Sequence, residues 1–214
     1  MNSYQPISNA FLAYENQVEL INFMDEGVLY ELRKTNQITN RMVVRLAELA
    51  WKAVETGVDG ILFTCSSFTP YVDKIAQLIP VPVLSSDISM LNLAVETGEK
   101  IGVIATIDVA GPTTKRMLEK VGAKKGKEIA IKIYSLLDAF VALQNGKQDV
   151  HDQMILRKIE NIYESYDVIL LAQYSMARVY ELLPERFGEK VVVGPVVSAQ
   201  AIVEQAKKFV SRGD

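Results

Sequence analysis

The chain has 214 residues, of which 49% are hydrophobic and 23% charged, and its 23 basic and 26 acidic side chains give a net charge of −3. This composition is typical of a globular protein, and the acidic balance argues against nucleic acid as a partner. Apolar runs such as 168–172 are far shorter than the roughly 20 residues that cross a bilayer, so no membrane segment is predicted. One cysteine and one histidine exclude an intrachain disulfide and a Cys/His zinc site, and no metal is expected.

Helical and strand patterns alternate along the chain, which predicts an α/β fold with largely parallel strands. The best-defined helix covers 39–56, where apolar residues recur at helical spacing and Gly57 follows at the position of a C-terminal cap. The other predicted helices are 70–78, 87–97, 112–121, 135–144, 149–165, 175–183 and 198–210. The predicted strands are 60–64, 81–84, 101–105, 128–133, 167–172 and 190–193, with 18–23 as a further candidate.

The order of these elements repeats, which predicts two pseudo-symmetric halves of flavodoxin or Rossmann type. The first half is expected to comprise 1–97 and 195–214, and the second 98–194. In each half a helix is followed by a buried strand that ends in polar residues. Because any α/β chain is self-similar at this level, the repeat depends on element order as much as on identities.

The two halves differ at their start. The second half opens with the strand 101–105, whereas only Met1–Tyr4 precede the corresponding helix of the first half. The first half is therefore expected to lack its opening strand, unless the natural chain begins further upstream. A missing central strand leaves an exposed edge, so we expect compensation by a dimer contact or by a rearranged N-terminal helix.

Polar side chains follow the predicted strands at their carboxyl ends, where open parallel sheets bind ligands. The strongest cluster is Thr64-Cys65-Ser66-Ser67, which lies between a buried strand and a helix. Backbone N–H groups of the helix start and the serine hydroxyls would hold a carboxylate, and the same field would favour the thiolate of Cys65 as a base or nucleophile. The alternative is a structural cysteine with two capping serines.

The mirrored position in the second half holds Gln173, followed by Tyr174 and Ser175. An amide donates and accepts hydrogen bonds but cannot accept a proton, so Gln173 would bind rather than act as a base. The alternative is an ordinary polar residue at a strand end.

Several other polar residues are weaker candidates for the site. Thr106 follows the strand 101–105 and would bind an anion with Thr113 or Thr114, although loop capping explains these residues equally well. Asp25 and Glu26 are either site carboxylates or an ordinary acidic pair at a helix start. The remaining expectations are structural: a helix cap or pocket wall for Ser85, Ser86 and Asp87, a solvated helix start for His151 beside Asp152, and core positions for Trp51 and the methionines.

These features resemble the aspartate/glutamate/hydantoin racemase superfamily. The more specific segments are GVDGILFTCSSF, EKIGVIAT followed by GPT, and DVILLAQYSMARV. The resemblance implies a site between two halves, where facing thiols exchange the α-proton of a small substrate without metal or organic cofactor. Backbone amides and hydroxyls would stabilise an enediolate-like intermediate.

The resemblance places Cys65 at the first family thiol, with Ser66 and Ser67 at the carboxylate-holding positions, and Gln173 where the second thiol belongs. A single thiol favours chemistry on one face, such as decarboxylation, isomerisation or elimination, over symmetric racemisation. The alternative is a catalytically inactive carboxylate-binding or regulatory protein on the same scaffold. The expected ligand is a small carboxylate, and we expect a cytoplasmic homodimer. The candidate binding residues are Thr64, Ser66, Ser67, Thr106, Tyr174, Ser175, Asp25 and Glu26.

Overall fold

The computed structural model describes residues 4–35, 37–108 and 110–213, apart from the side chains of Arg33 and Ser66. Within these residues six strands form two parallel sheets, which confirms the predicted α/β class. A two-stranded sheet has the order β1-β2, and a four-stranded sheet has the order β4-β3-β5-β6. The strands are β1 (Ile61–Phe63), β2 (Val83–Ser85), β3 (Lys100–Ala105), β4 (Ala130–Ser135), β5 (Val168–Leu171) and β6 (Val191–Val193).

Helices occupy most of the remaining described chain. They are α1 (Tyr4–Phe11), α2 (Glu26–Thr35), α3 (Asn40–Glu55), α4 (Thr69–Ala76), α5 (Ile88–Thr97), α6 (Ala110–Lys125), α7 (Leu137–Gln144), α8 (Gln148–Ile162), α9 (Ala177–Glu181), α10 (Glu185–Gly188) and α11 (Gly194–Gly213). Short 3-10 turns cover Leu12–Tyr14, Ser66–Phe68, Tyr163–Ser165 and Tyr174–Met176. No helix of the described chain is both long enough and apolar enough to span a bilayer.

The chain packs into two compact units. One contains the segment up to Ile7 and Ser89–Val197, and the other contains Ser8–Ile88 and the segment from Ser198 onward. The first has the four-stranded sheet and is called the four-stranded unit below; the second has β1 and β2 and is called the two-stranded unit. The predicted division at 97/98 and 194/195 concerns internal similarity rather than packing, and it stays a prediction.

Each unit has its own apolar core. In the four-stranded unit, Ile155 and Ile159 on α8 pack against Ile104, Ile169 and Leu171 of the sheet. In the two-stranded unit, the buried face of α3 packs with Phe68 and Ile75, and the side chain of Thr39 caps α3 by accepting a hydrogen bond from Met42 N at 3.3 Å. Trp51 points the other way and is 44% exposed, so the expected core position for this residue is wrong.

The two-stranded unit differs from the four-stranded unit where the opening strand was expected to be missing. In its described residues it has two strands in place of four. Met1–Ser3 lie outside the described residues, and α1 begins at Tyr4. The further strand predicted at 18–23 is wrong, because this segment is irregular. A strand needs a partner for its backbone hydrogen bonds, and among the described residues no strand pairs with this segment.

Candidate active site

Cys65 and Gln173 occupy equivalent positions in the two units. The parallel register sets Phe63 beside Ser85 and Leu171 beside Val193, and each candidate lies two residues beyond the end of its own strand, β1 or β5. A 3-10 turn and then a helix follow both. The backbone matches as well: the Cys65 carbonyl accepts from Phe68 N at 3.1 Å, and the Gln173 carbonyl accepts from Met176 N at 3.0 Å.

The surroundings of Cys65 are partly apolar and partly open. Its thiol is half-buried and packs against the core of the two-stranded unit. Thr64 is half-buried and Ser67 is exposed, whereas the side chain of Ser66 lies outside the described residues. Cys65 thus lies partly buried directly before the turn that leads into α4.

Gln173 has a fixed amide orientation. Its Oε1 accepts hydrogen bonds from Thr106 N at 2.7 Å and from Thr106 Oγ1 at 3.1 Å, and Thr106 is fully buried. A backbone N–H can bond only to the oxygen of the amide, so the NH₂ group must point away from Thr106. Within the described residues this NH₂ group has no hydrogen-bond acceptor.

The other predicted residues of the four-stranded unit lie in the turn after Gln173 and at the start of α6. Tyr174 and Ser175 are half-buried in the 3-10 turn that follows Gln173. Thr113 and Thr114 are partly exposed on the first turns of α6. Thr106 contacts Gln173 directly through two hydrogen bonds.

Asp25 and Glu26 lie at the start of α2, as the helix-start alternative predicts. Arg45 on α3 holds Asp25 in a two-point ion pair, with Nη2 to Oδ1 at 2.6 Å and Nε to Oδ2 at 3.0 Å, and it also reaches Glu31 at 3.3 Å. Glu26 is exposed. Both carboxylate oxygens of Asp25 are therefore engaged in joining α2 to α3.

Asp87, expected as a helix cap or pocket wall, lies just beyond the end of β2 in a more unusual setting. Asp87 Oδ1 accepts from Ser86 Oγ at 3.1 Å, and Oδ2 accepts from Thr69 Oγ1 at 3.4 Å. Ser198 on α11 donates to the Ser86 carbonyl at 2.6 Å, and both serines are fully buried. Burial raises the pKa of Asp87 to about 6, against the opposing effect of the two hydroxyls. The run of Ser, Ser and Asp at a strand end was the available signal.

His151, which was expected at a solvated helix start, forms a second polar group with Asp152. That expectation is wrong: their exposures are 0% and 2%. His151 Nδ1 lies 2.8 Å from Asp152 Oδ1, and Arg178 Nε on α9 lies 3.2 Å from Asp152 Oδ2, in an ion pair whose alignment is too poor for a hydrogen bond. The apolar positions 155, 159 and 162 follow His151 at helical spacing and mark the same buried face of α8. That spacing was the missed signal.

The family model for Asp/Glu/Hydantoin racemase matches residues 24–206 of this sequence. Among solved structures, an aspartate racemase homologue from Pyrococcus horikoshii OT3 superposes with a TM-score of 0.72 at 13% identity, over 96% of this chain and 94% of that one. The allantoin racemase from Klebsiella pneumoniae gives 0.62 at 16% identity, over 100% and 84% of the two chains. An arylmalonate decarboxylase gives 0.55 at 14% identity, over 77% and 75%. At these identities the likeness to solved structures establishes the fold. No curated protein matches this sequence significantly.

Proposed function

The chain belongs to the Asp/Glu/hydantoin racemase family, and from this premise we propose that it is a cofactor-independent enzyme that moves a proton on a small carboxylate. Cys65 is the proton-transferring group of the proposal. Gln173 and the hydroxyls of Ser67 and Thr106 belong to the proposed machinery that holds and stabilises the carboxylate.

The proposed reaction begins with the Cys65 thiolate. The substrate C–H bond breaks, an S–H bond forms on Cys65, and the electron pair passes into the substrate as an enediolate-like anion. Hydrogen-bond donors directed at the developing negative charge lower the barrier. The NH₂ group of Gln173 is such a donor, because Thr106 occupies the amide oxygen.

One-face chemistry follows from the identity of residue 173. A glutamine amide cannot take or return a proton. Cys65 therefore both removes the proton and returns it, on the same face of the substrate. We therefore propose proton exchange with retention, decarboxylation or isomerisation rather than racemisation. The observation that supports this most directly is that Cys65 and Gln173 are equivalent in register, turn and backbone bonding. Only one of these two equivalent positions holds a thiol.

Proton exchange in deuterated water tests the proposal. The protein is incubated with each enantiomer of aspartate, glutamate and 5-substituted hydantoins, and with an α-substituted malonate, while NMR follows the α-proton. We expect exchange without inversion, or decarboxylation of the malonate, and a loss of at least about 100-fold in Cys65→Ser. Circular dichroism of the variant shows whether it retains the fold. Absence of turnover with every compound would count against the proposal.

The variant Gln173→Cys tests the role given to residue 173. It places a thiol at the position equivalent to Cys65, so inversion of configuration should appear alongside exchange. Exchange that persists without any inversion would show that position 173 does not serve the second face of the substrate.

The second candidate is a carboxylate-binding protein without turnover, which the replacement of one thiol favours. It predicts a rise in melting temperature with one or more small mono- or dicarboxylates, because a ligand that prefers the folded state stabilises it. Stabilisation without α-proton exchange would select this candidate over the enzyme.

A further inference from the structure

We infer that Asp87 is a proton-exchanging residue of the Cys65 site, an assignment that rests on the proposed function and names a second acid–base group for it. In its acid form Asp87 supplies protons that the site draws from solvent, and in its carboxylate form it takes up protons that Cys65 releases.

Strand register places Asp87 and Cys65 at corresponding positions beyond two paired strands. Phe63 and Ser85 are partners on β1 and β2, and Cys65 and Asp87 each lie two residues beyond them. Neighbouring strands run roughly 4.8 Å apart, so the two positions follow adjacent strand ends at one edge of the sheet. The helix that follows Cys65 reaches Asp87 directly, because Thr69 at its start donates to Oδ2.

The surroundings of Asp87 are those of a group that exchanges protons rather than one that forms an ion pair. Its oxygens accept from the hydroxyls of Ser86, directly after β2, and of Thr69 on α4, and Ser198 on α11 donates to the Ser86 carbonyl. Burial and the hydroxyls of Ser86 and Thr69 are the influences that shift its titration within the described residues. Asp25 in the same unit shows the contrast, since Arg45 holds both of its oxygens.

A capping role does not explain the geometry. An N-cap aspartate accepts from backbone N–H groups in the first turn of its helix. Asp87 directly precedes α5, but both of its oxygens accept from side-chain hydroxyls. Burial that raises the pKa to about 6 keeps acid and carboxylate forms both populated near neutral pH.

The four-stranded unit lacks this residue at the equivalent position. Pro195 lies two residues beyond Val193, as Asp87 lies two residues beyond Ser85, and proline has no ionisable side chain. The two-stranded unit thus has a thiol and a carboxyl group at these two strand-end positions, and the four-stranded unit has an amide and a proline there. This asymmetry matches chemistry that operates from one face.

In the proposed reaction Asp87 returns the proton that Cys65 gives to the substrate. In a decarboxylation the substrate C–C bond breaks, carbon dioxide leaves, and the Cys65 thiol protonates the carbanion and becomes a thiolate. A proton from the Asp87 acid restores the thiol, and water re-protonates the carboxylate. In α-proton exchange the same transfers run in the other direction as well, so that solvent deuterium reaches Cys65.

Alkylation of the single cysteine tests the pairing without any substrate. Iodoacetamide reacts with the thiolate, so its rate against pH reports the charge near Cys65. In the unmodified protein the rise in rate should flatten near pH 6, where Asp87 ionises and disfavours the thiolate. Above that pH, Asp87→Asn should react about threefold to tenfold faster and show no flattening.

The matched control is Asp73→Asn, which removes the same charge from an exposed position on α4 and should leave the profile unchanged. The profile of the unmodified protein needs no variant, so the test does not depend on the folding of Asp87→Asn. A profile without flattening, or one that is the same in Asp87→Asn, would overturn the inference.

Turnover separates the inference from the proposed function. Where a substrate is found, the rate should show a limb near pH 6 that disappears in Asp87→Asn and persists in Asp73→Asn. If alkylation shows the pairing but no compound turns over, the proposed function fails and the pairing stands. If turnover depends on Cys65 but neither profile responds to Asp87, the function stands and the inference fails.

Discussion

Asp152 is a buried polar residue that links two helices. It is buried, bonds His151 Nδ1 at 2.8 Å, and lies 3.2 Å from Arg178 Nε. These contacts join the start of α8 to α9, the helix that follows Gln173 and its turn. Removal of one partner leaves buried polar atoms without compensation, which costs more than the bond itself contributes.

Replacement of Asp152 by alanine should therefore destabilise the protein. We expect a loss of roughly 1–3 kcal/mol in the free energy of unfolding, measured by urea denaturation. Asp149→Ala is the matched control, because Asp149 contacts the same Arg178 at 3.2 Å but its side chain is 93% exposed. An exposed pair contributes roughly 0–1 kcal/mol. Equal losses in the two variants would contradict the structural role assigned to Asp152.

Gln173→Glu keeps the hydrogen-bond acceptor of residue 173 and removes its donor. A carboxylate oxygen still accepts from Thr106 N, so the local fold should persist, but the donor is lost and a negative charge is added. We expect at least a roughly tenfold higher concentration of a small carboxylate for the same rise in melting temperature. Gln153→Glu, on an exposed position of α8, is the control. Unchanged binding in Gln173→Glu would remove residue 173 from the ligand site.

At the scale of elements, strand β1 is an edge strand. Among the described strands it pairs with β2 alone, whereas β3 and β5 each have neighbours on both sides. In the same unit, the irregular segment 18–24 leaves three large apolar side chains exposed: Leu20, Ile21 and Met24. Exposed backbone at a sheet edge exchanges its amide hydrogens with solvent more readily than backbone inside a sheet.

Hydrogen exchange should show this difference between strands. We expect Leu62 in β1 to lose protection about 100-fold faster than the amides of Ile169 and Leu170 in β5. The measurement is native-state exchange followed by mass spectrometry or NMR. Equal protection that falls on dilution would instead indicate that a second copy covers the edge, as the predicted homodimer requires.

The elements show why some features were predictable from sequence and others were not. Helix α3 was recognisable because its apolar spacing and cap are local, and β5 because four consecutive buried residues form a central strand. The segment 18–23 has the composition of a strand, but a strand depends on a distant partner. His151 was misplaced because the burial of a polar side chain depends on Asp152 and Arg178 together. Asp87 was expected as a helix cap or pocket wall, and its contact with Thr69 was not predictable because that hydroxyl comes from another element.

At the scale of the whole molecule, two carboxyl groups with opposite pKa shifts lie in different units. Burial raises the pKa of Asp87 in the two-stranded unit to about 6. In the four-stranded unit, Asp167 Oδ2 accepts from Lys100 N at 2.8 Å and from Glu99 N at 3.0 Å, and these bonds lower the pKa of Asp167 below 3.8. The two groups therefore link stability to pH in opposite directions.

The signs follow from which form each folded unit prefers. Folded Asp87 holds its proton more tightly than the unfolded chain, so its contribution is complete below about pH 3.8 and is lost as the pH rises through about 6. Folded Asp167 prefers the carboxylate, so its contribution is present above about pH 3.8 and is lost as the pH falls through its lowered pKa.

Calorimetry between pH 5 and pH 7.5 should separate the effect of Asp87 from that of Asp167, because Asp167 is ionised throughout that range. We expect the melting temperature of the transition that includes the two-stranded unit to fall as the pH rises through 6, and to fall less in Asp87→Asn. Asp167→Asn should keep the fall between pH 5 and pH 7.5 and weaken only the loss of stability in acid. If the units melt separately, the dependence near pH 6 should follow one transition and not the other. A dependence that survives unchanged in Asp87→Asn would mean that another group titrates there. Asp87 would then neither cause the pH dependence of stability near pH 6 nor exchange protons with Cys65.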